Sequence, residues 1–108
     1  VGYHYLASPY SHPDPLVREE RYLQNVRAYR YLFETEHLIL YSPIIHFHPL
    51  AQLLELPKGF QYWQLVNEVM LKPADSLILL QLPGWEESVG LMCERELAQK
   101  MDKPIRYL

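Results

Sequence analysis

Hydrophobic and polar positions follow two rhythms along this chain, and the changes of rhythm mark its elements. Tyr3 to Ser8 is a short apolar run that stops at Pro9, as a buried strand does. Tyr10 to Pro13 holds Ser and Pro and reads as loop. Asp14-Pro15 pairs a capping acid with a proline suited to the first helical position, which predicts a helix start. That helix runs to about Glu36, with Tyr22, Val26, Tyr29 and Phe33 as its apolar stripe. Leu38 to Tyr41 reads as a second short strand, ended by Ser42-Pro43. Residues 44–59 lack a clear period. His46-Phe47-His48-Pro49 begins a loop or short helix, and Leu56-Pro57-Lys58-Gly59 is a break. A second long helix is expected from Phe60 to Lys72, stopped by Pro73. Ser76 to Leu82 is the best strand, a third helix spans about Glu86 to Met101, and Pro104 to Leu108 closes the chain as a strand.

The predicted order is β-α-β-α-β-α-β. Strands separated by helices imply right-handed crossovers and a parallel sheet covered on both faces. The expected fold is an α/β three-layer sandwich, flavodoxin- or Rossmann-like, with four to five strands in a single domain over residues 1–108. Ligands bind such sheets beyond the carboxyl ends of the strands. That rule brings Ser8 to Ser11, Ser42 to His48 and Pro83 to Ser88 to one crevice.

Glu94 breaks the helical pattern. Gly90, Leu91, Leu97, Ala98 and Met101 lie three, four or seven positions from it, so the acid falls on a face that should meet the core. A carboxylate there is costly to bury unless it is paired or opens onto a pocket. Periodicity leaves two readings: a site acid, or an acid on the helix edge paired with Arg95 or Lys103.

Composition narrows the classes. With 108 residues the chain can bury a core without disulfides, and its single cysteine, Cys93, excludes an internal disulfide framework and fits a reducing, cytoplasmic setting. A net charge of −3 argues against a nucleic-acid polymer as partner. No run reaches the ~18 apolar residues of a membrane span, and no signal peptide is visible. Nine tyrosines and two tryptophans need a core, a partner subunit or a flat ligand.

Four motifs in order resemble the nucleoside 2-deoxyribosyltransferase superfamily, which includes 2'-deoxynucleoside 5'-phosphate N-hydrolases. They are Tyr5-Leu6-Ala7-Ser8-Pro9 on the first strand, Ala74-Asp75 before the third, Gly90, Glu94 and Ala98 on the last helix, and Lys103-Pro104-Ile105 opening the last strand. Gly84-Trp85-Glu86-x-Ser88 is most like small bacterial and phage relatives of unassigned function. The resemblance implies that Glu94 is the nucleophile. It would attack the anomeric carbon of a nucleoside or nucleotide and displace the base, and water or a second base would then resolve the glycosyl-enzyme. A carboxylate suits that chemistry because the transition state is oxocarbenium-like. The resemblance further implies no cofactor, no metal, and a homo-oligomer, dimer or tetramer, whose neighbours complete the pocket. A module of the same fold that binds a nucleotide or sugar nucleotide without chemistry is the alternative.

Two positions depart from the family pattern. Asn67 stands where active members have an aspartate that orients the nucleophile; it can hydrogen bond but cannot hold a charge. Otherwise it is a plain polar residue on a helix face. Ser88 stands where the monophosphate hydrolases have a phosphate-binding serine and the nucleoside transferases an aspartate. It is equally placed to be the helix cap, and Glu86 and Glu87 beside it would repel a phosphate unless they point away.

The family pocket begins at the end of the first strand, so Tyr5, Ser8 and Tyr10 are expected to shape it. Tyr10 would stack on a base or form a lid over the core. Trp85 would close the pocket or fill a subunit interface. Arg18 and Arg21 would reach a phosphate or, the favoured reading, pair with Glu19 or Glu20. His46 and His48, with His12 nearby, form too small a set for a zinc site, and one of the pair lining the crevice as a proton donor is preferred. Cys93 is expected to turn into the core, and Asp75 to tether a strand end.

Overall fold

A computed structural model describes residues 2–54 and 60–108, the side chains of 60–62 excepted. The expected break at Leu56 to Gly59 lies outside the described residues. The elements run β1 (His4–Ala7), α1 (Pro15–Glu36), β2 (Leu40–Tyr41), α2 (Pro43–Leu54), α3 (Phe60–Leu71), β3 (Ser76–Leu79), a 3₁₀ turn (Trp85–Glu87), α4 (Val89–Lys100) and β4 (Ile105–Tyr107). The four strands form one parallel sheet in the order β2-β1-β3-β4. The protein is an α/β three-layer sandwich.

Alternation along the two central strands builds two cores. Tyr5, Ala7, Leu77 and Leu79 point to one face, where they meet Leu71 and Ala74 around the end of α3, and Leu91 and Ala98 from α4. Leu6, Ile78 and Leu80 point to the other, under Leu32, Ala28 and Tyr29 of α1. Chain order reverses between β1 and β3, which pair through His4↔Ser76 to Ala7↔Leu79. That is the switch point, where the loops leaving adjacent strands diverge and a crevice opens.

Local chemistry explains the helix ends. Asp14 caps α1 by accepting from the Leu16 amide at 2.9 Å, with Pro15 at the first helical position. His37 ends α1 in the left-handed region, its amide donating to Leu32 and Phe33 carbonyls. Gly84, at φ 84°, turns the chain into the 3₁₀ segment; a Cβ there would be strained and would lie 3.1 Å from Arg21 Nη2.

One open reading is settled and three expectations are corrected. Residues 43–54 form a regular helix despite Pro49 inside it, with Ser42 Oγ accepting from the Ile45 amide at 3.1 Å. The α1 stripe is rotated: Val26 and Phe33 are 38% and 53% exposed, while Asn25 and Leu32 are the buried pair. Apolar rings on several faces of α1 blur its period, and the buried position is polar. The helix carrying Glu94 begins at Val89 rather than Glu86, because Ser88 is extended and caps it. The edge strands and β3 are shorter than the apolar runs that predicted them.

Candidate active site

A cavity of about 510 Å³ lies beyond the carboxyl end of β1, where the loops after β1 and β3 meet α2, α3 and the start of α4. Such a volume suits a small metabolite. Ser8, Tyr10, Asn67, Ser88, Gly90 and Glu94 all border it, as do His12, Arg18, His48 and Cys93, so most of the residues singled out from the sequence meet at one place.

Glu94 reaches this cavity from the inner face of α4, between Leu91 and Ala98, which anchor that face in the core. Tyr5, fully buried on the central strand, donates its hydroxyl hydrogen to Glu94 Oε2. Burial pushes the Glu94 carboxyl up to about 7, against the opposing pull of the Tyr5 hydrogen bond. Tyr5 is pushed well above its ordinary value, first by burial and then by Glu94, so it stays a donor. Tyr41, tilted against Tyr5 at 5.7 Å between ring centres, is raised to about 12 by burial and by Tyr3 and Glu94. The carboxyl therefore sits on a floor of neutral phenols. Among the described residues it makes no ion pair, and the expected partner Lys103 instead donates to the Ala74 carbonyl at 2.6 Å.

Asn67 Oδ1 is buried at the cavity wall, and no described residue satisfies it. Such an oxygen costs free energy unless a ligand donor meets it. Ser88 does two things: its hydroxyl caps α4 by accepting from the Leu91 amide at 3.3 Å, and it borders the cavity. Glu87 borders it as well, so one of the flanking acids does not point away.

Several placements differ from expectation. Tyr5 supports Glu94 from below instead of lining the wall. Trp85 is not part of the wall; it packs edge-on against Tyr107 at 6.1 Å and onto the core. His46 turns away and contacts Tyr41 and Phe47, while His48 borders the cavity. Arg18 and Arg21 serve loop carbonyls rather than acids. Arg18 donates to His12 and Pro13, and Arg21 to Ser11 at 3.0 Å and Pro83 at 3.2 Å. Cys93 borders the cavity instead of entering the core. The Asp75 backbone amide donates to the Tyr3 carbonyl at 2.8 Å.

Asn25 is the residue that sequence reasoning missed. Its Nδ2 donates to Ser8 Oγ at 2.7 Å and to the Arg21 carbonyl at 2.8 Å, and Ser42 Oγ donates to its Oδ1 at 3.5 Å. This buried bridge ties the end of β1 to α1 and to the start of α2, which sets the position of the Ser8 loop. The one available signal was a polar residue seven before Leu32, on the same helical face.

No group of three or more His, Cys, Asp or Glu among the described residues is arranged to hold a metal ion. No described helix is long and apolar enough to cross a membrane. A search of curated proteins finds no match to the chain. Residues 2–108 match the family described as "Domain of unknown function (DUF1937)", and with nearly its whole length covered, the chain belongs to that family.

Proposed function

We propose that this protein cleaves or transfers at the N-glycosidic bond of a nucleoside or nucleoside 5'-monophosphate, with Glu94 as nucleophile. The observation that carries the reading is the Glu94 carboxyl at the wall of a cavity of about 510 Å³, oriented by the Tyr5 hydroxyl and unpaired with any described cation. A fixed negative charge beside an anomeric carbon stabilises the developing oxocarbenium ion and then forms the bond. The motif resemblance adds that this position on the last helix is the nucleophile's. Asn67 and Ser88 position the substrate in this reading, and Asn67 Oδ1 finds its missing donor in a substrate hydroxyl or amino group.

The test is a panel of ribo- and deoxyribonucleosides and their 5'-monophosphates, with free base followed by chromatography. Release from one class, lost in Glu94→Gln, is the expected result. No release, with nucleotides still raising the melting temperature, would move the assignment to a binding module, a reading that Asn67 in place of an acid favours.

Two pH results follow from the nucleophile's ionisation. Attack needs the anion, so kcat/KM is expected to rise as pH passes through about 7, the value to which Glu94 is raised. The Tyr5 hydrogen bond holds that value down. Tyr5→Phe should therefore move the rise to higher pH while leaving the ring in place. A profile that stays put, or moves to lower pH, would remove Tyr5 from this role.

A further inference from the structure

The cavity has a second reactive wall that Glu94 does not use. Tyr10 borders it, and its hydroxyl lies 2.5 Å from His48 Nδ1. On the far side of the ring, His48 Nε2 lies 2.6 Å from Glu19 Oε2. His48 is 4% exposed and its side chain is clamped by Tyr22, stacked at 4.4 Å with 21° between planes, and by Tyr10 edge-on at 5.6 Å. Glu19, by contrast, keeps 47% of its side chain in solvent. The three groups form a continuous line from the cavity wall, which Tyr10 and His48 both border, through the imidazole to a half-exposed carboxylate.

That order of groups is what proton transfer needs. Imidazole alone among side chains takes a proton on one nitrogen while giving one from the other, and a carboxylate beyond it holds the ring's orientation and balances its charge. A phenol placed between imidazole and ligand passes a proton without carrying a charge of its own to the reacting centre. A buried His satisfied on both nitrogens would also serve packing, but packing does not require the chain of bonds to begin at a cavity and end at solvent.

Resting on the N-glycosidase reading, we infer that Tyr10 protonates the departing base, and that His48 and Glu19 supply and recover that proton. With His48 protonated, Nδ1–H donates to the Tyr10 oxygen and Nε2–H to the Glu19 carboxylate, which frees the Tyr10 O–H for the ligand. In the first step a Glu94 oxygen bonds the anomeric carbon as the C–N bond breaks, and the electron pair stays on the base nitrogen. That nitrogen takes the Tyr10 proton, and the phenol oxygen takes the proton on His48 Nδ1. In the second step water attacks the anomeric carbon and the bond to Glu94 breaks. A water proton passes to the Tyr10 oxygen and the Tyr10 proton returns to His48 Nδ1. The sum is nucleoside plus water giving sugar plus base, with the protein restored. Tyr10 is the catalytic residue of this pathway; His48 and Glu19 act through it.

The test compares two leaving groups, because an acid catalyst matters only where the base needs a proton. The probes are 2'-deoxyguanosine and 7-methyl-2'-deoxyguanosine, each also as its 5'-monophosphate. The methylated base is already cationic and leaves without protonation. Tyr10→Phe is expected to slow release of guanine about 100-fold and release of 7-methylguanine about two-fold or less. Glu19→Gln, at the solvent end of the line, should discriminate in the same direction by about 10-fold, and it carries the test should Tyr10→Phe not fold. A merely structural defect would slow both probes alike. Equal slowing, or none, with base release still abolished in Glu94→Gln, would overturn the relay and leave the nucleophile standing. No release of either base by the unmodified protein would overturn the relay together with the reading it rests on.

Discussion

Glu94→Gln is expected to make the protein more stable at pH 8, by as much as about 3 kcal/mol, while abolishing the proposed base release. The Glu94 carboxyl is raised from 4.5 to about 7 because burial penalises its charged form. Between those two values the folded chain holds a proton that the unfolded chain has lost, so stability falls as pH rises through that window. The contribution is complete below about 4.5 and gone above about 7. The glutamine amide has nearly the same shape, keeps an oxygen to accept from Tyr5, and never ionises, so it escapes the loss. The figure is an upper limit because the carboxyl borders the cavity instead of lying in the closed core. Urea melts at pH 4 and pH 8 check the expectation: the variant and the parent should nearly coincide at pH 4 and separate at pH 8. A variant less stable at pH 8, or an equal offset at both values, would mean that Glu94 carries no such strain. The same comparison bears on function, since a site that holds an acid against its solvation trades stability for reactivity.

The second large effect falls outside the cavity wall. Asn25→Ala is expected to cost about 2–4 kcal/mol, which for a domain of this size lowers the melting temperature by roughly 10 °C or more. Asn25 is fully buried and joins Ser8, Ser42 and the Arg21 carbonyl. Truncation leaves Ser8 Oγ without its amide donor and Ser42, 4% exposed, without its acceptor. It also frees the loop after β1, so the Ser8 and Tyr10 wall should loosen and substrate KM should rise more than kcat falls. A change in stability below about 0.5 kcal/mol would show that the bridge does not hold these elements together.

Much of the architecture was legible because it rests on local rules. The apolar runs at Tyr5 and at Ile78 alternate between two covered faces, which is why they read as near-continuous hydrophobic strands. Asp14 and Pro15 mark a helix start by capping geometry that depends on no distant residue. Glu94 stood out because an acid fell at helical spacing from Leu91 and Ala98, and it borders the cavity from that face.

The failures share a different cause. Pro49 lowers the helical propensity of its segment, yet α2 forms, with Ile44, His48 and Ala51 buried on the face that borders the cavity. Once that segment is helical, two residues apart means about 200° of rotation, so His46 and His48 face opposite ways and only one meets the cavity. Trp85 followed the same logic: a one-turn 3₁₀ segment before the Ser88 cap aims it at Tyr107.

By itself, then, the sequence determined the four strands, the helices α1, α3 and α4, the parallel α/β layering and the acid on α4, because period, capping and chain order are properties of neighbouring residues. Only the tertiary structure decided that Tyr5 supports Glu94, that Asn25 bridges two strand ends, and that Tyr10, His48 and Glu19 line up. Those contacts join residues 17 to 89 positions apart. Their geometry depends on the rotation of each helix on the sheet, which packing sets and local sequence does not encode.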